Sequence, residues 1–143
     1  MKKITLLFLL LCSLYSCVEK EASTNIEGTW KMVYAETIEN DTIKLKDLSN
    51  TTFVKIINKS HFAFFNQENN SNTNFYGGAG TYTLKGKNYT EILNFTAVEA
   101  LKRQEFSFTI ELKGDTLIQA GIEKVEDANI DRYIIEKYIK LKK

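Results

Sequence analysis

Glu105-Phe106-Ser107-Phe108-Thr109-Ile110-Glu111-Leu112-Lys113-Gly114-Asp115-Thr116-Leu117-Ile118-Gln119-Ala120-Gly121-Ile122 decides the architecture. Phe106, Phe108, Ile110 and Leu112 take alternate positions, opposite Ser107, Thr109 and Glu111. Successive side chains of a strand point to opposite faces, so this alternation predicts a strand with one aromatic, buried face. Lys113-Gly114-Asp115 interrupts it, and Thr116 opens a second run. A connection this short, with a glycine in it, joins antiparallel neighbours as a hairpin.

The pattern repeats on both sides. Runs rich in aromatic and β-branched residues, separated by Asn, Asp, Gly, Lys and Ser, predict eight strands. They cover Thr29–Thr37, Phe53–Ile57, His61–Phe65, Gly78–Leu84, Tyr89–Ala97, Glu105–Leu112, Thr116–Ile122 and Tyr133–Leu141. Two longer polar links, Ile38–Thr52 and Asn66–Asn74, are expected to be loops, and Ala97–Gln104 has room for one helical turn. No segment of ten residues or more reads as a helix, so parallel crossovers are excluded. Eight antiparallel strands in succession remove both sheet edges by closing into an all-β, up-and-down barrel. Such a barrel is filled by its side chains or holds one small ligand. An open sandwich is the structural alternative.

The first residues follow a different logic. Lys2 and Lys3 precede an apolar run from Ile4 to Tyr15, and Leu14-Tyr15-Ser16-Cys17 closes it. This layout is that of a bacterial lipoprotein signal peptide over residues 1–16. The run is too short to span a bilayer, which takes about 20 apolar residues. Cys17 is therefore the expected lipidation site. Cys12 is a poorer candidate, because Leu11 before it is too large for the cleavage pocket. Residues 17–27, with Glu19-Lys20-Glu21, read as a flexible tether or a surface-export signal, and residues 28–143 as the barrel domain. The expected location is the cell envelope, on the outer membrane, facing the periplasm or the exterior.

Removing 16 of 143 residues leaves 127, enough for one domain with a sizeable core. The 19 basic residues fall to 17 against 18 acidic ones, a net charge of −1. No basic stripe suggests nucleic acid as a partner. With Cys12 removed and Cys17 lipidated, no thiol is left for a disulfide, a nucleophile or a cysteine metal site. Gly77-Gly78-Ala79-Gly80 lacks the Lys-Ser/Thr of a phosphate loop and is expected to bend the chain into a strand.

Gly28-Thr29-Trp30 opens the first strand, and Lys140 lies near the end of the last. Gly-x-Trp at this place resembles the lipocalins, which implies an indole across the barrel floor with a basic residue packed on it. Here lysine stands where arginine is usual. A wider set occurs in order: Lys55-Ile56-Ile57, His61-Phe62, Gly77 to Tyr82, Tyr89-Thr90-Glu91, Gly114-Asp115-Thr116-Leu117 and Glu136 to Lys140. Together these are similar to the lipocalin-like domains of small envelope lipoproteins of Gram-negative bacteria. The resemblance implies a fold and a location, with no reaction to carry over.

Strand parity nominates the inner face. Trp30, Met32 and Tyr34 share a side of the first strand, Phe62 and Phe64 of the third, Tyr82 and Leu84 of the fourth, and Phe106 and Phe108 of the sixth. On the fifth, Glu91 shares its side with Tyr89, Leu93 and Phe95; on the eighth, Glu136 shares it with Tyr138 and Lys140. If Lys140 reaches Trp30, Glu136 and Tyr138 point inward, although Tyr133, Ile135 and Ile139 compete for that side. The candidate ligand-binding residues are thus Trp30, Tyr34, Phe62, Phe64, Tyr82, Glu91, Phe106, Phe108, Glu136 and Tyr138. The plainer alternative is that these side chains fill the barrel, and that Glu91 pairs with a basic neighbour or sits at the wet rim. A buried carboxylate is costly unless paired or protonated.

Three functions compete. The first is a lipid-anchored barrel binding a small apolar or amphipathic molecule. The second is a filled barrel meeting an envelope partner through its long loops. The third, an enzyme using Glu91, Glu136 and His61, lacks a nucleophile motif, a metal cluster or a cofactor fingerprint beside those residues. No cofactor is expected.

Overall fold

The computed structural model describes residues 25–71 and 73–142. The predicted signal peptide and Cys17 lie outside the described residues, as do most of the tether, Asn72 in the Asn66–Asn74 link, and Lys143. Among the described residues nine strands follow one another: β1 (Gly28–Glu39), β2 (Thr42–Leu45), β3 (Thr51–Ile57), β4 (His61–Glu68), β5 (Tyr76–Lys85), β6 (Asn88–Thr96), β7 (Glu105–Lys113), β8 (Thr116–Val125) and β9 (Ile130–Lys140). Each of β3 to β8 pairs antiparallel with the next; β1 pairs with both β3 and β9 and closes an eight-stranded antiparallel barrel. The architecture is the expected all-β barrel, compatible with a lipocalin-like fold.

The additional strand, β2, lies in the segment expected to be a loop. Asn40 and Asp41 both have positive φ, 47° and 58°, the conformation of a tight two-residue hairpin turn. β2 pairs with the upper half of β1, Glu36 to Glu39, while β3 pairs only with Gly28 to Lys31. Chain length also shifts at the other links. β4 continues to Glu68, β8 to Val125, and β9 begins at Ile130. The Ala97–Gln104 link, which has room for one helical turn, contains a 3-10 turn at Glu99–Leu101.

The two ends of the barrel differ. Two of the two-residue hairpin turns, Gly86-Lys87 and Gly114-Asp115, lie at the end where β1 begins. Trp30 is fully buried there, and its indole N–H donates to the Ile26 carbonyl at 2.9 Å. Lys140 Nζ stands 5.2 Å from the indole centroid, the stacking that the Gly-x-Trp motif implied. A Cβ on Gly28 would come within 2.7 Å of Lys140 Cε, and its φ of +148° disfavours any side chain. Ile26, Ile57, Phe62, Tyr89, Ile110 and Leu117, each buried, complete this floor. The longer links gather at the opposite end.

Candidate functional site

Above the floor the interior becomes polar. On β3, Phe53, Lys55 and Ile57 alternate inward, so Lys55 is a cation in the barrel with 3% of its surface exposed. Its ammonium forms an ion pair with Glu91 and donates to Gln119 Oε1 at 2.7 Å. It also lies 5.4 Å from the ring centre of Phe62, 5.3 Å from that of Tyr89 and 6.0 Å from that of Tyr138. Removing an ammonium from water is costly, and a carboxylate, an amide oxygen and three aromatic faces offset that cost. The Tyr89 hydroxyl is buried beside this pair, and burial together with the Glu91 charge pushes its pKa far up.

A cavity of about 310 Å³ opens above the pair. Phe53, Phe64, Leu93, Phe106 and Phe108 form its apolar wall, with the Phe53 and Phe64 rings stacked 5.6 Å apart. Tyr76, Val98, Leu101 and Ile130 surround its mouth. Glu123 and Arg132 face each other across β8 and β9 just inside, where the Arg132 guanidinium grips one carboxylate oxygen of Glu123 through Nε at 2.7 Å and through a terminal nitrogen at 2.6 Å. Glu136 lies between the two ion pairs on β9 and accepts from the Tyr138 hydroxyl at 2.6 Å. Burial raises its pKa above the ordinary value; Lys55 and the tyrosine bond oppose this only in part, and the Glu123 and Glu91 charges add to it. Glu136 also borders a second hollow of about 330 Å³ between β9, the upper half of β1 and β2.

The predicted site residues divide by height in the barrel. Phe64, Glu91, Phe106, Phe108, Glu136 and Tyr138 meet around the cavity. Trp30, Phe62 and Tyr82 point inward but build the floor; the Tyr82 hydroxyl is tied to the Asn58 carbonyl at 2.6 Å and its ring packs 5.1 Å from that of Tyr89. Tyr34 is a correction, since it stands on the outer face. One extra residue, Val33, is inserted in β1 between the pairs Met32–Tyr138 and Tyr34–Lys137. Such a bulge reverses the parity beyond it. Ala35 therefore packs on the core, while the Tyr34 hydroxyl bonds Glu36 and its ring carries Lys137 Nζ at 4.7 Å.

A second bulge at Asn94 acts in the same way, leaving Leu93 buried and Phe95 71% exposed. Opposite it, a Cβ on Gly80 would stand 1.8 Å from the Ile92 carbonyl oxygen. The glycines of β5 thus serve close contact inside a strand rather than a bend into it. His61 is exposed and bonds the Ser60 hydroxyl. On β9, Tyr133 and Ile139 face outward, which resolves that strand in favour of Glu136, Tyr138 and Lys140.

Lys55, Gln119, Glu123 and Arg132 were not among the predicted site residues. Parity alone would have placed Gln119 with Leu117 on the inner face of β8. Lys55 had no such signal, because its neighbours Val54 and Ile56 are as apolar as Phe53 and Ile57.

No protein-family model matches the chain, and no curated protein matches its sequence.

Proposed function

We propose that this chain is a lipid-anchored, lipocalin-like envelope protein that binds a small amphipathic molecule in the upper half of its barrel. The carrying observation is the contrast between the ends: a floor sealed by Trp30, Ile26 and Leu117, and a cavity with aromatic walls and a few convergent polar groups that opens at the other end. Such pockets are the usual form of small-molecule sites, and 310 Å³ is at the small end of their range of roughly 300–1,000 Å³. The Gly28-Thr29-Trp30 motif with Lys140 on the indole supports the lipocalin likeness. Lys2, Lys3 and the apolar run before Cys17 support the anchor. β1 starts at the sealed end, opposite the mouth of the cavity.

The neutral fluorophore N-phenyl-1-naphthylamine tests the binding reading. It should brighten on the full chain and fail to do so on Thr96→Trp, which places an indole in the cavity. Equal brightening on both proteins would refute the site. For the anchor, Cys17→Ser should move the protein from the membrane fraction to the soluble one.

The partner-binding reading retains one observation. Phe75, Phe95 and Val98, each at least half exposed, lie near the open end. In-cell crosslinking from these positions would recover a specific protein if that reading holds.

A further inference from the structure

Resting on the binding reading, the charge arrangement in the cavity narrows the chemistry of its occupant. Five formally charged side chains line it: Lys55 and Arg132 against Glu91, Glu123 and Glu136. Both cations are already committed. Lys55 is closed in by Glu91, Gln119 and three rings. Arg132 holds Glu123 through two nitrogens. No ion pair reaches Glu136 among the described residues, and its one hydrogen bond comes from the Tyr138 hydroxyl. On the side of the second hollow, Lys44 pairs with Glu39 at 3.0 Å, and Lys46 donates to the Tyr76 hydroxyl at the solvent-exposed rim.

The cavity thus presents one carboxylate with no ion pair of its own, on a site with an aromatic wall; Lys55 acts on it, but that ammonium is held by Glu91 and Gln119. An anionic ligand, such as a fatty acid, would meet that carboxylate while both cations of the cavity are already held by Glu91 and Glu123. A neutral ligand would leave it uncompensated, or require a proton to stay on it. An ammonium group on an apolar body satisfies both parts, since it neutralises Glu136 and sits well against aromatic faces. We infer that the ligand of this cavity is an organic cation, a small molecule with a protonated amine on an aromatic or alkyl body, with its nitrogen seated on Glu136.

A matched series on the full chain tests this: 4-phenylbutylamine, 4-phenylbutanol and 4-phenylbutyrate, each titrated calorimetrically at neutral pH. The three share a body and differ in the charge of the head. The amine should bind tightest, by about tenfold or more over the alcohol, as expected for a charge-assisted contact, and the acid weakest. Glu136→Gln should reduce the amine to the affinity of the alcohol. Equal binding of amine and alcohol, or preference for the acid, overturns the cation assignment while leaving the binding barrel in place. Failure of all three to bind refutes the binding reading and this inference with it. The comparison on the unmodified chain decides the matter even if the variant does not fold.

Discussion

At the scale of single residues, the interior of this barrel is set by how a few charges are compensated. Lys55 and Glu91 neutralise each other out of water. Lys55→Met should therefore destabilise the chain by about 3–5 kcal/mol, because it leaves a carboxylate buried alone. The double variant Lys55→Met/Glu91→Gln should recover much of that loss, and urea denaturation of the full cycle measures the coupling. Glu136 behaves differently. Its folded-state pKa lies above the ordinary 4.5, so the folded protein holds the proton more tightly than the unfolded chain does. The contribution of that group to stability is complete below pH 4.5 and is lost as pH rises through the raised value. Glu136→Gln removes the dependence. Its melting temperature should exceed that of the parent at pH 8, and the gap should close as pH falls towards 4.5. A gap that is constant with pH would contradict this placement of the carboxyl. A carboxylate compensated only in part and retained at a cost in stability is what a binding site requires and a filled core does not.

At the scale of elements, the strands obey alternation until a bulge intervenes. Gly80 shows how tightly one of these is built. Gly80→Ala should cost about 1–3 kcal/mol, since the new methyl group meets the Ile92 carbonyl and the β5–β6 pair must move apart; a lowered urea midpoint would report it. The alternation of Phe106, Phe108 and Ile110 was legible in the sequence because β7 runs without interruption. Tyr34 and Phe95 were not, because Val33 and Asn94 are ordinary residues whose insertion depends on register with the neighbouring strand. β2 escaped for a related reason. Its four residues are all exposed, and its turn uses Asn-Asp where a glycine would have signalled it. Lys55 was hidden by its type, since lysine is rarely interior and an apolar run gives no parity with which to place it.

At the scale of the whole molecule, the barrel is a closed cylinder with one sealed end and one hollow end. The aromatic packing of Trp30, Phe62, Tyr82 and Tyr89 supplies the seal, and the short hairpin turns keep that end compact. The hollow end is framed by longer links and two 3-10 turns, Glu99–Leu101 and Glu126–Ala128, that touch each other across the mouth. Loops tolerate variation better than strands do, so a mouth built from them is the part of a barrel that can be adapted to a ligand without disturbing the floor. The most direct test is to map where a small amphipathic molecule goes. In the full chain with labelled Ile, Leu and Val methyl groups, added 4-phenylbutylamine should shift the resonances of Leu93, Leu101 and Ile130 around the cavity and leave those of Ile57 and Leu117 in the floor unmoved. Shifts confined to outward-facing Ile43, Ile122 and Ile139, or none at all at saturating ligand, would contradict a binding site inside the barrel.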